Sequence, residues 1–134
     1  MSKKPVTSKA VVLAFVRKIN EHDAEGLARL MTQDHVFVDS LGRSFTGREE
    51  MREGWVQYFE MFSNYTITVT DIFEKRGTFA LIGTAAGVYT NRTDSKETSW
   101  KVPAAWIAVV KKEQVSKWRV FADNFETMKL VTGT

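Results

Sequence analysis

In the stretch His35–Gly47, HVFVDSLGRSFTG, a single carboxylate, Asp39, ends an alternating apolar run and directly precedes a turn. A carboxylate held among aromatic rings has its charged form disfavoured by desolvation, and the raised pKa suits general acid or base work near neutrality. The same residue fits a second role, an aspartate that caps the turn by accepting from backbone amides near Leu41 and Gly42. His35 shares the strand parity of Asp39 and is a candidate to orient or protonate a ligand, or else a satisfied strand histidine. A second carboxylate, Asp123 in FADNF, lies near the end of the last expected strand. It pairs with Asp39 across a pocket mouth or, alternatively, sits at a sheet edge beside Arg119 or Lys129. Trp118 and Asp123 have opposite parity, so a regular strand cannot turn both inward.

Other chemistries lack their residues. Without cysteine there is no disulfide, thiolate nucleophile or thiolate metal site. The two histidines, His22 and His35, each adjoin an acid but show no metal-ligand spacing, so no metal is expected. The serines and threonines lack the glycine setting of a nucleophile elbow, and no glycine-rich phosphate loop is present; no cofactor is expected. The formal charge of +3 comes from scattered lysines and arginines, including Lys3, Lys4 and Lys9 near the N-terminus and Lys111 and Lys112 at a turn. That pattern describes a solvated surface rather than a nucleic-acid groove. Apolar runs such as Ala10–Val16 and Ala104–Val110 fall far short of the ~18 residues that suggest a membrane span. No membrane partner follows, and a soluble, cytoplasmic protein is expected.

The elements that must position these residues read as one domain over 1–134, with residues 1–6 a flexible tail. Val11, Val12, Phe15, Val16 and Ile19 form a helical stripe behind a cap at Thr7 or Ser8. Asp23 caps a short second helix, AEGLARLM. The strand containing His35, Phe37 and Asp39 follows, and Thr46 with Glu49 has the spacing of a capping box for a third helix reaching about Phe62. Its inner stripe is Met51, Trp55, Tyr58, Phe59 and Phe62. Beyond Asn64 the period becomes two, and turn-rich breaks give four strands, Tyr65–Phe73, Thr78–Thr90, Lys96–Val110 and Val115–Phe125, in an antiparallel meander. Gly83, Gly87 and Pro103 stand where bends or bulges would curl the long strands. An α+β fold follows, with three N-terminal helices packed on a strongly curved antiparallel sheet, a cone whose wide mouth favours a ligand.

The stretches EHDAEGLARLMTQDHVFVDSLG, FTGREEMREGW and WRVFADNFETMKLVTG, in this order, resemble the nuclear transport factor 2-like (NTF2-like) superfamily, particularly its SnoaL-like and ketosteroid-isomerase-like branches. The resemblance covers nearly the whole chain and implies the same cone-shaped α+β barrel. In the isomerase-like branch the carboxylate after the first strand, matched by Asp39, is a general base working with a tyrosine and a protonated aspartic acid. Phe15 and about Ala105 stand at the matching positions, and neither supplies a donor, so steroid-type isomerisation is disfavoured. The SnoaL-like branch implies an acidic residue at Asp123. The resulting expectation is a cofactor-free protein that binds a small apolar, cyclic or carbonyl-bearing molecule. Asp39 and Asp123 are its acid/base candidates for isomerisation, cyclisation, dehydration or hydrolysis. Phe15, His35, Phe37, Trp55, Tyr58, Trp106 and Trp118 are its expected pocket lining. The alternative is a non-catalytic binding or dimerisation module. In either case the resemblance implies a homodimer through the exposed sheet face.

Overall fold

The structure is a computed structural model that describes residues 6–132. Of the tail expected at residues 1–6, only Val6 is among the described residues, and it is exposed. Helix α1 (Ser8–Asn20) is capped by the Thr7 hydroxyl, which accepts from the Ala10 amide at 3.1 Å, and it buries Val11, Val12, Phe15 and Ile19 as the stripe predicts. The Asp23 carboxylate accepts from the Gly26 amide at 2.8 Å and caps α2 (Ala24–Arg29). This helix is shorter than expected, because Met31 leaves it to open strand β1 (Met31–Val38), where it is wholly buried.

A short strand not foreseen from sequence, β2 (Ser44–Thr46), folds back antiparallel on β1 with Thr46 opposite Val36. That pairing occupies Thr46, so the expected Thr46/Glu49 capping box does not form. Gly47, at φ 114°, is instead the N-cap of α3 (Arg48–Met61), and its N–H donates to the His35 carbonyl at 2.8 Å. A left-handed φ of this size is one that glycine adopts without steric penalty.

Strands β3 (Phe62–Lys75), β4 (Thr78–Thr90), β5 (Glu97–Lys111) and β6 (Gln114–Ala122) form the expected meander. The last strand stops at Ala122 rather than Phe125. A fourth helix, α4 (Phe125–Thr132), takes up the tail, with the Asn124 carbonyl accepting from the Met128 amide at 2.8 Å.

The sheet order is β2-β1-β6-β5-β4-β3, and the expectation of a wholly antiparallel sheet is corrected, since β1 lies parallel to β6. No local turn dictates that pairing; it joins segments some 80 residues apart, as in the bond between the His35 ring and the Val115 carbonyl. The sheet is curved and unclosed. Register gaps between Val69 and Asp71 and between Val109 and Val110 mark bulges that bend it. Gly83 pairs with Val69 at the first of these, where a Cβ would run into the Thr68 carbonyl.

Strand alternation separates the two faces. Leu81, Trp106 and Val120 stand side by side on the inner face, and their neighbours Ile82, Ala105 and Phe121 on the outer. The helices cover the inner face, with α1 placing Phe15 against Trp118 at 4.8 Å between ring centroids. Asn20 fastens the end of α1 to β3. Its amide nitrogen donates to the Ile67 carbonyl at 3.0 Å and its oxygen accepts from the Ile67 amide at 2.8 Å, as a strand partner would. Among the described residues no helix is long and apolar enough to cross a membrane.

Candidate functional site

The two ends of the inner face differ. Where α1 lies across the sheet, large side chains fill the space: Phe15, His35, Trp106 and Trp118 are each 1% exposed or less. Where α3 diverges from the sheet, a cavity of about 760 Å³ is left open. Its walls come from Phe37 of β1, Phe45 of β2, Trp55 and Tyr58 of α3, Tyr65 of β3, Trp100 of β5 and Val120 of β6. Thr127, Met128 and Val131 of α4 form a side that sequence reasoning did not foresee. The rings are continuous along the wall: Phe37 meets Trp55 at 5.9 Å, Trp55 meets Tyr58 at 6.0 Å, Tyr58 meets Tyr65 at 4.9 Å, and Tyr65 meets Trp100 at 6.0 Å between centroids. Most of these contacts are edge-to-face, the geometry favoured by ring quadrupoles.

Trp100 fits through its partner on β4, Gly87, where a Cβ would come within 2.9 Å of the indole. The glycine provides the space the ring occupies.

Of the nine residues expected at the site, the fold brings Phe37, Asp39, Trp55 and Tyr58 to the cavity. Phe15, His35, Trp106 and Trp118 are core residues that do not line it. His35 and Phe37 share a parity, but α1 covers the strand at His35 and leaves it open at Phe37, so parity alone did not give depth. The His35 Nδ1–H donates to the Val115 carbonyl at 2.7 Å, and Nε2 has no partner among the described residues. Burial pushes the His35 pKa down, against the Val115 bond and the charge of Asp34, so the ring is neutral.

Asp123 is exposed and does not line the cavity, whereas its neighbours Ala122 and Asn124 do. Its parity is the reason, since Trp118, Val120 and Ala122 already face inward. The ion pair considered for it with Lys129 is not formed; Lys129 lies 3.6 Å from Glu126 instead. Asn124 donates to the Ser40 hydroxyl at 2.6 Å and joins the start of α4 to the turn after β1.

Asp39 stands at the mouth, its side chain 17% exposed. One carboxylate oxygen accepts from the Leu41 and Arg43 amides, both at 2.9 Å, and the other from the Arg43 guanidinium Nε at 2.7 Å. Burial by itself would raise its pKa, but the Arg43 amide, the Arg43 guanidinium and the Leu41 amide together hold the carboxyl below the usual range. The raised pKa expected from a ring-lined site is therefore corrected: every strong contact of Asp39 is with its own turn, and each favours the charged form. The phenols behave differently. Burial pushes Tyr58 up to about 12 and Tyr65 well above the ordinary value, so both stay protonated near neutrality.

Tyr65, Trp100, Arg43, Met51 and the α4 residues were not on the expected site list. The parity of Tyr65 with Ile67 was a usable signal for the first, and Asn124 followed by Glu126, Met128 and Lys129 was a usable helix signal for the last. Among the described residues no three His, Asp or Glu side chains are grouped to hold a metal ion.

The SnoaL-like domain model matches residues 12–120. No curated protein sequence matches the chain. A candidate SnoaL-like polyketide cyclase from Shewanella denitrificans superposes with a TM-score of 0.82 at 13% identity, covering 98% of this chain and 100% of that one. A hypothetical protein with a ketosteroid isomerase-like fold from Catenulispora acidiphila, crystallised with trimethylamine, gives 0.75 at 20% identity, covering 86% of each chain. An NTF2-like protein of unknown function from Cytophaga hutchinsonii gives 0.72 at 16% identity, over 95% of this chain and 99% of that one. At these identities the likeness establishes the fold. Taken with the domain model that spans most of the sequence, it identifies the chain as a member of the SnoaL-like family, with the NTF2-like fold.

Proposed function

We propose that the protein binds a small, largely apolar, ring-bearing molecule in the cavity between α3, the inner sheet face and α4. One observation carries this reading. The narrow end of the inner face is packed solid with Trp and Phe, yet the wide end keeps about 760 Å³ open behind a wall of stacked aromatic edges. An open apolar volume in the 300–1,000 Å³ range, with a few polar groups at its rim, is the usual form of a ligand site. The SnoaL-like membership agrees with it.

Acid/base turnover by an Asp39–Asp123 pair draws less support, because Asp123 is exposed and Asp39 is engaged by its turn. Asp39 serves in this reading as a fixed charge at the rim, with Arg43 beside it.

The test is a titration with an apolar fluorophore such as 8-anilinonaphthalene-1-sulfonate, in the parent protein and in Val102→Trp, which fills the cavity from β5. Binding that disappears in the variant while its circular dichroism is unchanged supports the proposal. Equal binding by both proteins overturns it.

A second reading, a homodimer through the outer sheet face, rests on a separate observation. Ile82, Ala105 and Phe121 form one outer row, with Ile82 45% and Phe121 44% exposed, and Phe73 in the adjacent row is 60% exposed. Large apolar side chains aligned across neighbouring strands suit an isologous contact. Sedimentation of the parent as a dimer, and of Phe121→Lys as a monomer, is the expected result; a monomeric parent at micromolar concentration refutes it.

A further inference from the structure

We propose that the cavity takes its ring-bearing occupant as an organic cation, with the ring among the aromatic walls and a protonated amine held at the mouth between Glu50 and Glu53 of α3 and Thr127 of α4. The proposal rests on the cavity reading above and names the charge that its occupant carries.

The argument is one of sign. The chain as a whole is basic, with 19 Lys and Arg against 16 Asp and Glu. The cavity is not: among the described residues three carboxylates line it, those of Asp39, Glu50 and Glu53, against one cation, the Arg43 guanidinium. Arg43 is committed to Asp39, whose carboxylate it meets at 2.7 Å. Glu50 makes no hydrogen bond or ion pair among the described residues. Glu53 accepts from Arg52 at 2.9 Å, but that guanidinium also meets Glu25 at 3.1 Å and Glu49 at 3.2 Å, so a single positive charge is shared among three negative ones. The other arginine of α3, Arg48, is turned to the Met31 carbonyl, to which it donates at 3.0 and 2.8 Å. The helix therefore brings an excess of negative charge to the mouth.

Spacing places these groups. Glu50, Glu53 and Gln57 fall on one stripe of α3, all three exposed and all three lining the cavity. Carboxylates that border an apolar hollow focus their field into it, because its low-dielectric walls screen little. The rings of the wall select the same sign, since an aromatic face is the negative end of the ring quadrupole and attracts a cation. From α4, Thr127 adds a hydroxyl that lines the cavity in a residue 6% exposed and has no hydrogen-bond partner among the described residues. Its oxygen and the Gln57 carbonyl are acceptors for the amine N–H groups. Desolvation keeps the charge at the mouth and sends the apolar ring inward, towards Tyr65 and Trp100.

The experiment compares 2-aminotetralin, a cation at pH 7, with 2-methyltetralin, in which a methyl group of nearly the same size replaces the ammonium. Dissociation constants are read from quenching of tryptophan fluorescence, with 8-anilinonaphthalene-1-sulfonate as an anionic probe. The proteins are the parent, a double variant carrying Glu50→Gln and Glu53→Gln, and Arg43→Ala. In the double variant the ratio of amine to hydrocarbon affinity is expected to fall about fivefold, the size expected for two exposed ion pairs, while the sulfonate binds more tightly. Arg43→Ala should move both the other way, by about twofold. In the parent, raising sodium chloride from about 20 to about 500 mM should lower the same ratio, as screening of exposed charge requires.

A ratio unchanged in the double variant, or amine and sulfonate affinities that move together, overturns the cation assignment while leaving the cavity reading in place. Failure of the parent to bind any of the three compounds overturns both readings.

Discussion

Asp39 offers the sharpest test of how this site is built, because its contacts predict a residue that holds a turn. Three substitutions separate its roles. Asp39→Ala removes all three bonds, leaving the Leu41 and Arg43 amides, at 2.9 Å in the parent, to water. Hydrogen bonds to a charged acceptor contribute about 1.5–3 kcal/mol each, but these amides lie in an exposed turn and recover much of that by hydration, so a loss of ~2–3 kcal/mol in all is expected. Asp39→Asn keeps an acceptor oxygen for the amides and loses the charge, which should remove about 1 kcal/mol. Arg43→Ala deletes a guanidinium that is 65% exposed, and an ion pair so placed contributes at most about 1 kcal/mol.

Urea unfolding at pH 7 reads all three. A pH series adds a check of sign. The folded carboxyl titrates below its ordinary value of 3.8, so its contribution is complete above about pH 4 and fades as pH falls through the folded value. Asp39→Asn should lack that part of the acid dependence. The reasoning is refuted if Asp39→Ala unfolds within 0.5 kcal/mol of the parent, roughly the noise of a neutral surface change, or if Arg43→Ala loses as much as Asp39→Ala.

Asn20→Ala leaves both backbone groups of Ile67 unpaired and should destabilise by about 2 kcal/mol, with faster amide exchange at Ile67. His35, whose folded pKa is depressed, stays neutral in the folded chain while the unfolded chain takes up a proton below about 6.5. Stability should therefore fall as the pH drops below about 6.5, with a slope of up to ~1.4 kcal/mol per pH unit, and His35→Leu, though less stable at pH 7, should lack that component. Tyr58, raised to about 12, favours the folded state below pH 10 and ceases to do so as pH rises through 10 to 12. Tyrosinate absorbance at 295 nm from Tyr58 should accordingly appear together with the loss of near-ultraviolet dichroism.

Periodicity made most of the framework readable. The apolar spacing of Val11, Val12, Phe15 and Ile19 gave α1, and period two from β3 onward gave the meander with nearly the observed breaks. That Trp118 and Asp123 could not both face inward was readable from their opposite parity, but which of them does was not; the fold buries Trp118 and leaves Asp123 exposed. What periodicity does not encode is pairing between distant segments. The parallel contact of β1 with β6 and the short β2 that takes Thr46 away from α3 both depend on such pairing. Depth along the cone is equally hidden: His35 and Phe37 point the same way, and only the path of α1 makes one a core residue and the other cavity wall. Asp39 illustrates a third limit. Its sequence context suits a tuned acid and a turn cap alike, and the decision lies with Arg43, whose guanidinium closes on it at 2.7 Å.

The place of β6 between β1 and β5 bears on how the protein assembles. Of the described strands, β1 and β2 join the meander only through β6, which follows all the others in chain order. Until it emerges from the ribosome, the chain holds two unfinished pieces, a helical layer with a two-stranded flap and a three-stranded meander with an unpaired edge at β5. Contacts of high sequence separation are slow to form because loop closure precedes their reward. The inner wall around Trp118 and Val120, and with it the cavity, should therefore appear late and together, once β6 has joined the sheet. A substitution that weakens β6 should lower the yield of folded protein through aggregation at that β5 edge before it changes any property of the finished site.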